Sequence, residues 1–247
     1  MRREHLDAPL VETIKELKSL HPFWGYRRIW AFLQYKNKII VNHKRVYRLM
    51  KKHNLGVMRA ALKACRTPQK SKPKATVSCQ WWGIDMTKII TKMGWVYVTV
   101  VLDWYSKKIV GYHIGYQSKS SHWLSALDMA LQANFPYGVR GHNLNLMSDN
   151  GCQPTSKSFM ETCKQLEINH VVTSYNNPKG NADTERMMRT IKEECLWLTE
   201  WENLAEVENK LTKWIEEYNA EYLHSTLGWK TPNQVHTKNQ NTLLKVA

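Results

Sequence analysis

Three acidic residues are spaced in a pattern that suits phosphoryl-transfer chemistry. Asp149 follows a short apolar run and precedes Asn150-Gly151, a strong turn signal, so its carboxylate is expected at the end of a strand. Glu185 comes just after a loop rich in helix breakers, in the first turn of a predicted helix. Thirty-five residues separate the two acids (185 − 149 − 1). A third acid, Asp85, lies inside another apolar run that predicts a strand.

Two aspartates on strands and a glutamate on a helix can converge to hold two divalent cations. Hard carboxylate oxygens suit Mg²⁺, and a pair of such ions clamps the attacking and leaving oxygens of a phosphodiester. One aspartate at a strand end is more often a turn former than a metal ligand, so the prediction depends on the three acids together.

The elements around these acids predict an α/β domain. Three β-rich segments (80–86, 95–102 and 108–114) form an antiparallel meander and are followed by a helix over 121–132. A strand ending at Asp149, a helix over 157–166 and a strand over 168–172 complete the sheet, and a long helix covers 201–218. This order is that of an RNase H-like core, a mixed five-stranded sheet flanked by helices. Asp85 would lie on the first, central strand, beside the fourth strand that carries Asp149.

The excess of positive over negative charge lies entirely in the N-terminal part of the chain. Residues 1–74 carry 19 Lys and Arg against 4 Asp and Glu, whereas residues 75–247 carry 17 of each, within a total net charge of +15. A polyanion-binding module joined to an electrically balanced body accounts for this distribution, with nucleic acid as the partner. The alternative is a solvated basic face that serves solubility.

Three short helices are predicted in this basic region, which favours a small all-α helix-turn-helix domain. The first covers 8–20 and ends at His21-Pro22, the second begins at Tyr26, and the third runs from His43 to His53 behind the cap residue Asn42. In such a domain the last helix enters the major groove and flanking cations hold phosphates. The cations assigned to DNA are Arg27, Arg28, Lys44, Arg45, Arg48, Lys51 and Lys52. The alternative is a helical bundle with a solvated basic face.

The helix that carries Glu185 brings two cations to the same face. Arg189 lies four residues and Lys192 seven residues after the acid, so both are expected to line the same groove and contact DNA. The alternative for Arg189 is an ordinary surface ion pair with Glu185.

The cysteine pattern and the hydropathy argue against several classes of protein. Five scattered cysteines without a Cys-x-x-Cys pair argue against a disulfide framework or a zinc ribbon, and favour reduced thiols. The longest apolar run, near 96–102, is too short to cross a bilayer. A cytoplasmic protein without a membrane partner is therefore expected.

Several motifs taken together resemble a known family. Trp82-x-x-Asp85-x-Thr87, Ser148-Asp149-Asn150-Gly151, the thirty-five-residue gap and Asn181-Ala182-x-x-Glu185 resemble the DDE core of retroviral-integrase-like transposases. More narrowly, residues 20–235 resemble the catalytic protein of the insertion-sequence-three family of bacterial transposases. The segment 218–232 matches the closing pattern of that family, except that Tyr222-Leu223-His224 replaces a usual Arg-Pro-His. This departure puts an arginine contact at that point in doubt.

The resemblance implies a function and a set of partners. It implies a transposase that cleaves and transfers DNA strands at the ends of an insertion sequence, with Asp85, Asp149 and Glu185 as catalytic residues that bind two Mg²⁺, or Mn²⁺ as a substitute. Lys192 would contact the terminal DNA. The implied partners are double-stranded DNA, further copies of the chain, and a small helix-turn-helix protein from an upstream reading frame, all at the bacterial nucleoid.

The predicted organisation is a DNA-binding domain (1–55), a basic linker (56–78), the catalytic core with its C-terminal helices (79–235) and a tail (236–247). Because the chain begins close to the helix-turn-helix, an upstream part supplied by another frame is expected to be missing. Two alternatives remain for the activity. One is an RNase H-like nuclease that only hydrolyses, and the other is a catalytically silent DNA-binding protein derived from a transposase.

Overall fold

A computed structural model of the protein describes residues 2–57, 73–173 and 180–243. Most of the predicted linker 56–78 and the loop residues 174–179 lie outside the described residues. The chain divides into two compact units, one formed by the N-terminal region with Leu223–Lys230, and the other by the rest of the chain. No helix in the described ranges is both long and apolar enough to cross a bilayer.

The N-terminal unit contains three helices, α1 (Arg2–Leu20), α2 (Tyr26–Tyr35) and α3 (His43–Lys52). The predicted cap is present, because the side chain of Asn42 accepts a hydrogen bond from the backbone of Lys44 at 2.8 Å. One face of each helix is buried, as the apolar spacing predicts. The buried residues are Val11, Ile14 and Leu17 of α1, Ile29 and Leu33 of α2, and Val46, Leu49 and Met50 of α3.

A segment from the C-terminal region belongs to this same unit. Residues Leu223–Lys230 include an isolated antiparallel bridge between His224 and Lys230. The ring of Trp229 packs edge-on against Trp30, with 5.5 Å between the ring centroids. The sequence pattern treats 79–235 as one continuous domain, so this return of the chain to the N-terminal unit was not predicted.

The second unit is built on a five-stranded sheet of order β3-β2-β1-β4-β5. The strands are β1 (Trp81–Thr91), β2 (Gly94–Asp103), β3 (Ile109–Gly115), β4 (Asn145–Ser148) and β5 (Asn169–Val172). The pairs β1–β2 and β2–β3 are antiparallel, and β1–β4 and β4–β5 are parallel. The predicted mixed sheet with a central first strand is therefore confirmed.

Helices cover both faces of this sheet. They are α4 (Ser120–Asn134), α5 (Lys157–Gln165), α6 (Ala182–Ile191), a π-helical turn (Lys192–Leu196), α7 (Leu204–Glu221) and α8 (Pro232–Leu243). The main apolar core lies between the sheet and α4 and α5, around Trp82, Trp123 and Phe159. The helix α8 occupies much of the predicted tail 236–247, and its start at Pro232 follows the preference of proline for a first helical turn.

The apolar spacing of 157–166 and 201–218 predicts buried faces that include Met160 and Trp214, and the structure differs at both residues and at the start of the second helix. Met160 of α5, expected to point inward, is 46% exposed. In α7, Ile215 is buried, whereas Trp214 is only half-buried. The helix starts at Leu204 instead of Trp201 because Asn203 caps it.

Candidate active site

The strand register brings Asp85 and Asp149 side by side. Gly83 of β1 pairs with Met147 of β4 in the parallel ladder, and each aspartate lies two residues beyond its member of that pair. Adjacent strands are about 4.8 Å apart, so Asp85, within the central strand β1, and Asp149, just past the end of β4, are neighbours. The strand end at Asp149 forms the predicted turn, in which its Oδ1 accepts a hydrogen bond from Gly151 N–H at 3.1 Å.

Glu185 reaches the same place from helix α6. It lies in the first turn of that helix, and α6 packs directly on β1. The side-chain amide of Asn181, just before the helix, donates to the backbone carbonyl of Ile84 at 3.3 Å. Asn181 occupies the N-cap position of α6, but its side chain makes no cap hydrogen bond and its amide bonds to β1 instead.

The electrostatics of Asp85 show that the three acids interact. The pKa of the Asp85 carboxyl is raised to about 6, chiefly by burial and also by the charges of Asp149 and Glu185, against the lowering effects of the Met86 backbone N–H and of Lys192. Burial also raises the pKa of Glu185. The structure thus gathers the three predicted acids, with one predicted cation, into a single cluster of like charges.

The two predicted cations of this helix have different surroundings. Lys192, at the start of the π-helical turn, is half-buried, and its charge lowers the pKa of Asp85. Its ammonium lies 5.9 Å from the ring centroid of Trp197. Arg189 donates to Glu193 at 2.7 Å, so the alternative ion pair with Glu185 is not the one found. Of the two, Lys192 is therefore the cation beside the acids.

The cations predicted to bind DNA in the N-terminal unit are mostly exposed. Arg27 and all five cations of α3 are exposed, whereas Arg28 is half-buried over the ring of Trp24. Arg45 and Arg48 both form ion pairs with Asp7 of α1, at 2.5 and 2.9 Å. The other cations of α3 are Lys44, Lys51 and Lys52, and all three are exposed.

Sequence reasoning missed the contacts that bring α6 against β1. A Cβ atom on Gly83 would lie 1.9 Å from Thr184 Oγ1 and 2.5 Å from Trp104 Nε1, so only glycine permits this approach. A glycine inside a strand pattern is a signal for a close backbone approach, and it was available in the sequence. The partners Trp104 and Thr184 carried no such signal.

A second cluster with metal-ligand groups is also present in the core. Cys79, Asp103 and His236 place one possible ligand atom each within 4.8 Å of one another. The carboxylate of Asp103 already accepts from Cys79 N at 2.6 Å and from Ser106 N and Oγ at 2.7 and 2.8 Å, and His236 Nδ1 lies 3.1 Å from the same Ser106 Oγ. Burial raises the pKa of the Cys79 thiol to about 12, so the thiol is protonated at neutral pH. This cluster is a hydrogen-bond network that shapes the turn after β2.

The sequence matches known protein families and their members. Family profiles described as an integrase core domain match residues 75–178 and 166–232, and an HTH-like domain profile matches residues 5–61. The transposase for insertion sequence element IS629 of Shigella sonnei is 30% identical over 224 residues, covering 86% of this chain and 73% of the relative. The putative transposase InsK for IS150 of Escherichia coli K12 is 27% identical over 236 residues, covering 90% and 80%.

A solved structure shares the fold of the second unit. The HTLV-2 integrase catalytic core domain, solved in complex with magnesium, aligns with a TM-score of 0.51 at 20% identity, covering 66% of this chain and 99% of that one. The alignment establishes an RNase H-like integrase core as the fold. With these relatives, the chain belongs to the insertion-sequence transposases of the insertion-sequence-three type, whose integrase-like DDE core makes it a polynucleotidyl transferase that carries out DNA transposition.

Proposed function

We propose that Asp85, Asp149 and Glu185 are the catalytic residues, and that they hold two Mg²⁺ ions for strand cleavage and strand transfer at the ends of an insertion sequence. The observation that carries this proposal is the like-charge cluster, in which Asp149 and Glu185 both raise the pKa of Asp85. Like charges held next to one another repel, and divalent cations are the partners that relieve such repulsion.

The donor set fits Mg²⁺ in its chemistry. All three side chains offer hard carboxylate oxygens, and they come from two rigid strands and a helix in one unit. When bound, the ions would activate the attacking water or 3′-hydroxyl and neutralise charge on the leaving 3′-oxygen. Because the reaction is a direct displacement at phosphorus, no serine or tyrosine nucleophile is needed. Magnesium in the HTLV-2 core supports the same choice of ion for this chain.

The residues of the chain have separate tasks in this proposal. The acids fix the reacting centre where the end of β4 meets the middle of β1, and the ammonium of Lys192 holds a phosphate of the terminal DNA beside them. The N-terminal unit, as a DNA-binding domain over 1–55, binds the element end, chiefly through exposed cations of α3. Several copies of the chain assemble on the DNA at the bacterial nucleoid, with a small helix-turn-helix protein from an upstream frame as a further partner.

The test is a strand-joining assay on DNA that ends in the element's inverted repeats. The full chain with Mg²⁺ is expected to nick the 3′ ends and join them to a target strand, and chelation should stop both steps. Hydrolysis without joining would favour the alternative of an RNase H-like nuclease. DNA binding without either reaction would favour a silent DNA-binding derivative.

Lys192→Ala is expected to weaken binding of element-end DNA by about tenfold, because a charge-assisted hydrogen bond to a phosphate is lost. Binding of Mn²⁺ in the absence of DNA should stay intact, since the three carboxylates remain. Fluorescence anisotropy measures the first quantity and electron paramagnetic resonance the second. Lys213→Ala, an exposed lysine of α7, is the control. Unchanged DNA affinity in Lys192→Ala would return this lysine to the solvated surface.

Binding of the full chain to element-end DNA is expected to fall steeply with salt. Each cation that contacts a phosphate releases counterions, so the log–log slope should be about −0.9 per contact. Replacing both Lys44 and Lys51 with Ala should flatten the slope by about 1.8, or two contacts. Lys15→Ala, which removes a cation paired with Glu12 on α1, should leave the slope unchanged. A salt-independent affinity would contradict phosphate binding by this unit.

A further inference from the structure

The first turn of α6 is fixed at two consecutive residues immediately before Glu185. The indole N–H of Trp104 donates to Thr184 Oγ1 at 3.0 Å, and both residues are buried, at 2% and 0% exposure. Lys107 Nζ donates to Asp183 Oδ2 at 3.0 Å and to the backbone carbonyl of Trp104 at 2.6 Å. Both cross-links come from the turn after β2, residues 104–107.

This turn is itself held firmly. The indole of Trp104 stacks on that of Trp81 at the start of β1, with 5.6 Å between centroids and planes 8° apart. Lys107 adopts a left-handed backbone, with φ of 61°, which L residues other than asparagine rarely do. The hydroxyl of Tyr218 from α7 donates to the Lys107 carbonyl at 2.8 Å. This hydrogen bond stabilises the unusual backbone, from which the lysine side chain reaches Asp183.

Two such cross-links constrain more than one would. Successive helical residues project about 100° apart, so bonds to both Asp183 and Thr184 oppose rotation of the helix as well as sliding along it. The next residue is Glu185. At the same level of β1, Gly83 removes any side chain between helix and strand, and Asp85 lies two residues further on. The position of Glu185 relative to Asp85 is therefore set by the turn 104–107.

We propose that Trp104, Lys107 and Thr184 are positioning residues that hold Glu185 at the distance from Asp85 which a shared divalent cation requires. The proposal rests on the assignment of the three acids as metal ligands. Mg²⁺ needs near-octahedral ligands at about 2.0–2.1 Å, and a site of this kind tolerates displacements of only about 0.5 Å. Loss of one cross-link should accordingly weaken metal binding before it unfolds the domain.

The experiment compares two substitutions of Thr184 in the full chain. Thr184→Val keeps the volume and removes the hydroxyl, whereas Thr184→Ser keeps the hydroxyl. Thr190→Val is the matched control, because Thr190 is buried on the same helix and its hydroxyl donates to the carbonyl of Arg186 within α6. The readouts are the Kd for Mn²⁺ without DNA by electron paramagnetic resonance, the Mg²⁺ concentration for half-maximal cleavage, and the melting temperature.

Thr184→Val is expected to raise the Kd for Mn²⁺ and the Mg²⁺ concentration for half-maximal cleavage about tenfold each. In Thr184→Ser and Thr190→Val both quantities should stay within about twofold of the parent values. Lys107→Met, which breaks the partly exposed pair with Asp183, should raise them about threefold and serves if Thr184→Val does not fold. Parent-like Mn²⁺ binding in the folded Thr184→Val or Lys107→Met protein would overturn the proposal, as would an equal loss in Thr190→Val. A parent chain that binds no Mn²⁺ and cleaves no DNA would instead overturn the metal assignment on which it rests.

Discussion

Asp149→Asn is expected to reduce the rate of Mg²⁺-dependent strand cleavage by about a thousandfold or more. Asparagine keeps the shape of the side chain, and its oxygen can still accept the hydrogen bond from Gly151 N–H. It lacks the negative charge that holds a hard cation. Loss of one ion removes either activation of the nucleophile or stabilisation of the leaving group, and each is worth several kcal/mol. Every 1.36 kcal/mol corresponds to a factor of about ten in rate.

The stability of the metal-free Asp149→Asn protein should not fall with its cleavage rate. The charge of Asp149 raises the pKa of Asp85, which means that the ionised form of Asp85 is disfavoured in the folded protein. Removing that charge relieves repulsion at any pH above the unfolded value for aspartate, near 3.9. The melting temperature of the apo variant should therefore equal or slightly exceed that of the parent at pH 7.

The measurement compares cleavage rate, apo melting temperature and DNA affinity in the variant and the parent. Asp128→Asn is a suitable control, since this exposed aspartate of α4 accepts a hydrogen bond from Gln132 one turn along its own helix. DNA affinity should be retained in both variants. Near-normal cleavage would remove Asp149 from the active site, and a large loss of apo stability would make it a structural turn residue.

The convergence of Asp85, Asp149 and Glu185 could be predicted because its signals are local in the sequence. Asp149 is marked by a turn directly after an apolar run, and Glu185 by a breaker-rich loop before a helix. The strand order then follows from the succession of a meander and alternating helix and strand, which leaves few ways to pair β4. Parallel pairing of β4 with β1 is what brings the two aspartates together.

The contacts around the site could not be predicted because they join distant parts of the chain. The bond from Trp104 to Thr184 spans 80 residues, and the network at Asp103 includes His236, from a helix that the pattern treats as tail. Neither indole nor hydroxyl shows by its type which partner it will meet. The same limit applies to residues 223–230, whose packing with Trp30 depends on the tertiary structure of the N-terminal unit.

Gly83→Ala should both destabilise the second unit and suppress cleavage. The added Cβ would lie 1.9 Å from Thr184 Oγ1, 2.5 Å from Trp104 Nε1 and 2.8 Å from Asn181 Oδ1, so α6 must move away from β1. Overpacking of this kind costs about 1–3 kcal/mol, and a domain of this size loses about 2–4 °C in melting temperature per kcal/mol. A 1 Å displacement of Glu185 would cost about a hundredfold in rate.

A second glycine of the same sheet separates these two effects. In Gly111→Ala the new Cβ would lie 2.3 Å from the Ala126 carbonyl and 2.8 Å from Ala130 Cβ, so the same kind of clash occurs against α4. This variant should lose comparable stability. It should keep most of its cleavage rate at a temperature where both variants are folded, because α4 carries none of the three acids. Equal losses of rate would show that cleavage only reports stability. Normal cleavage by a destabilised Gly83→Ala protein would show that Glu185 reaches the site without close contact between α6 and β1.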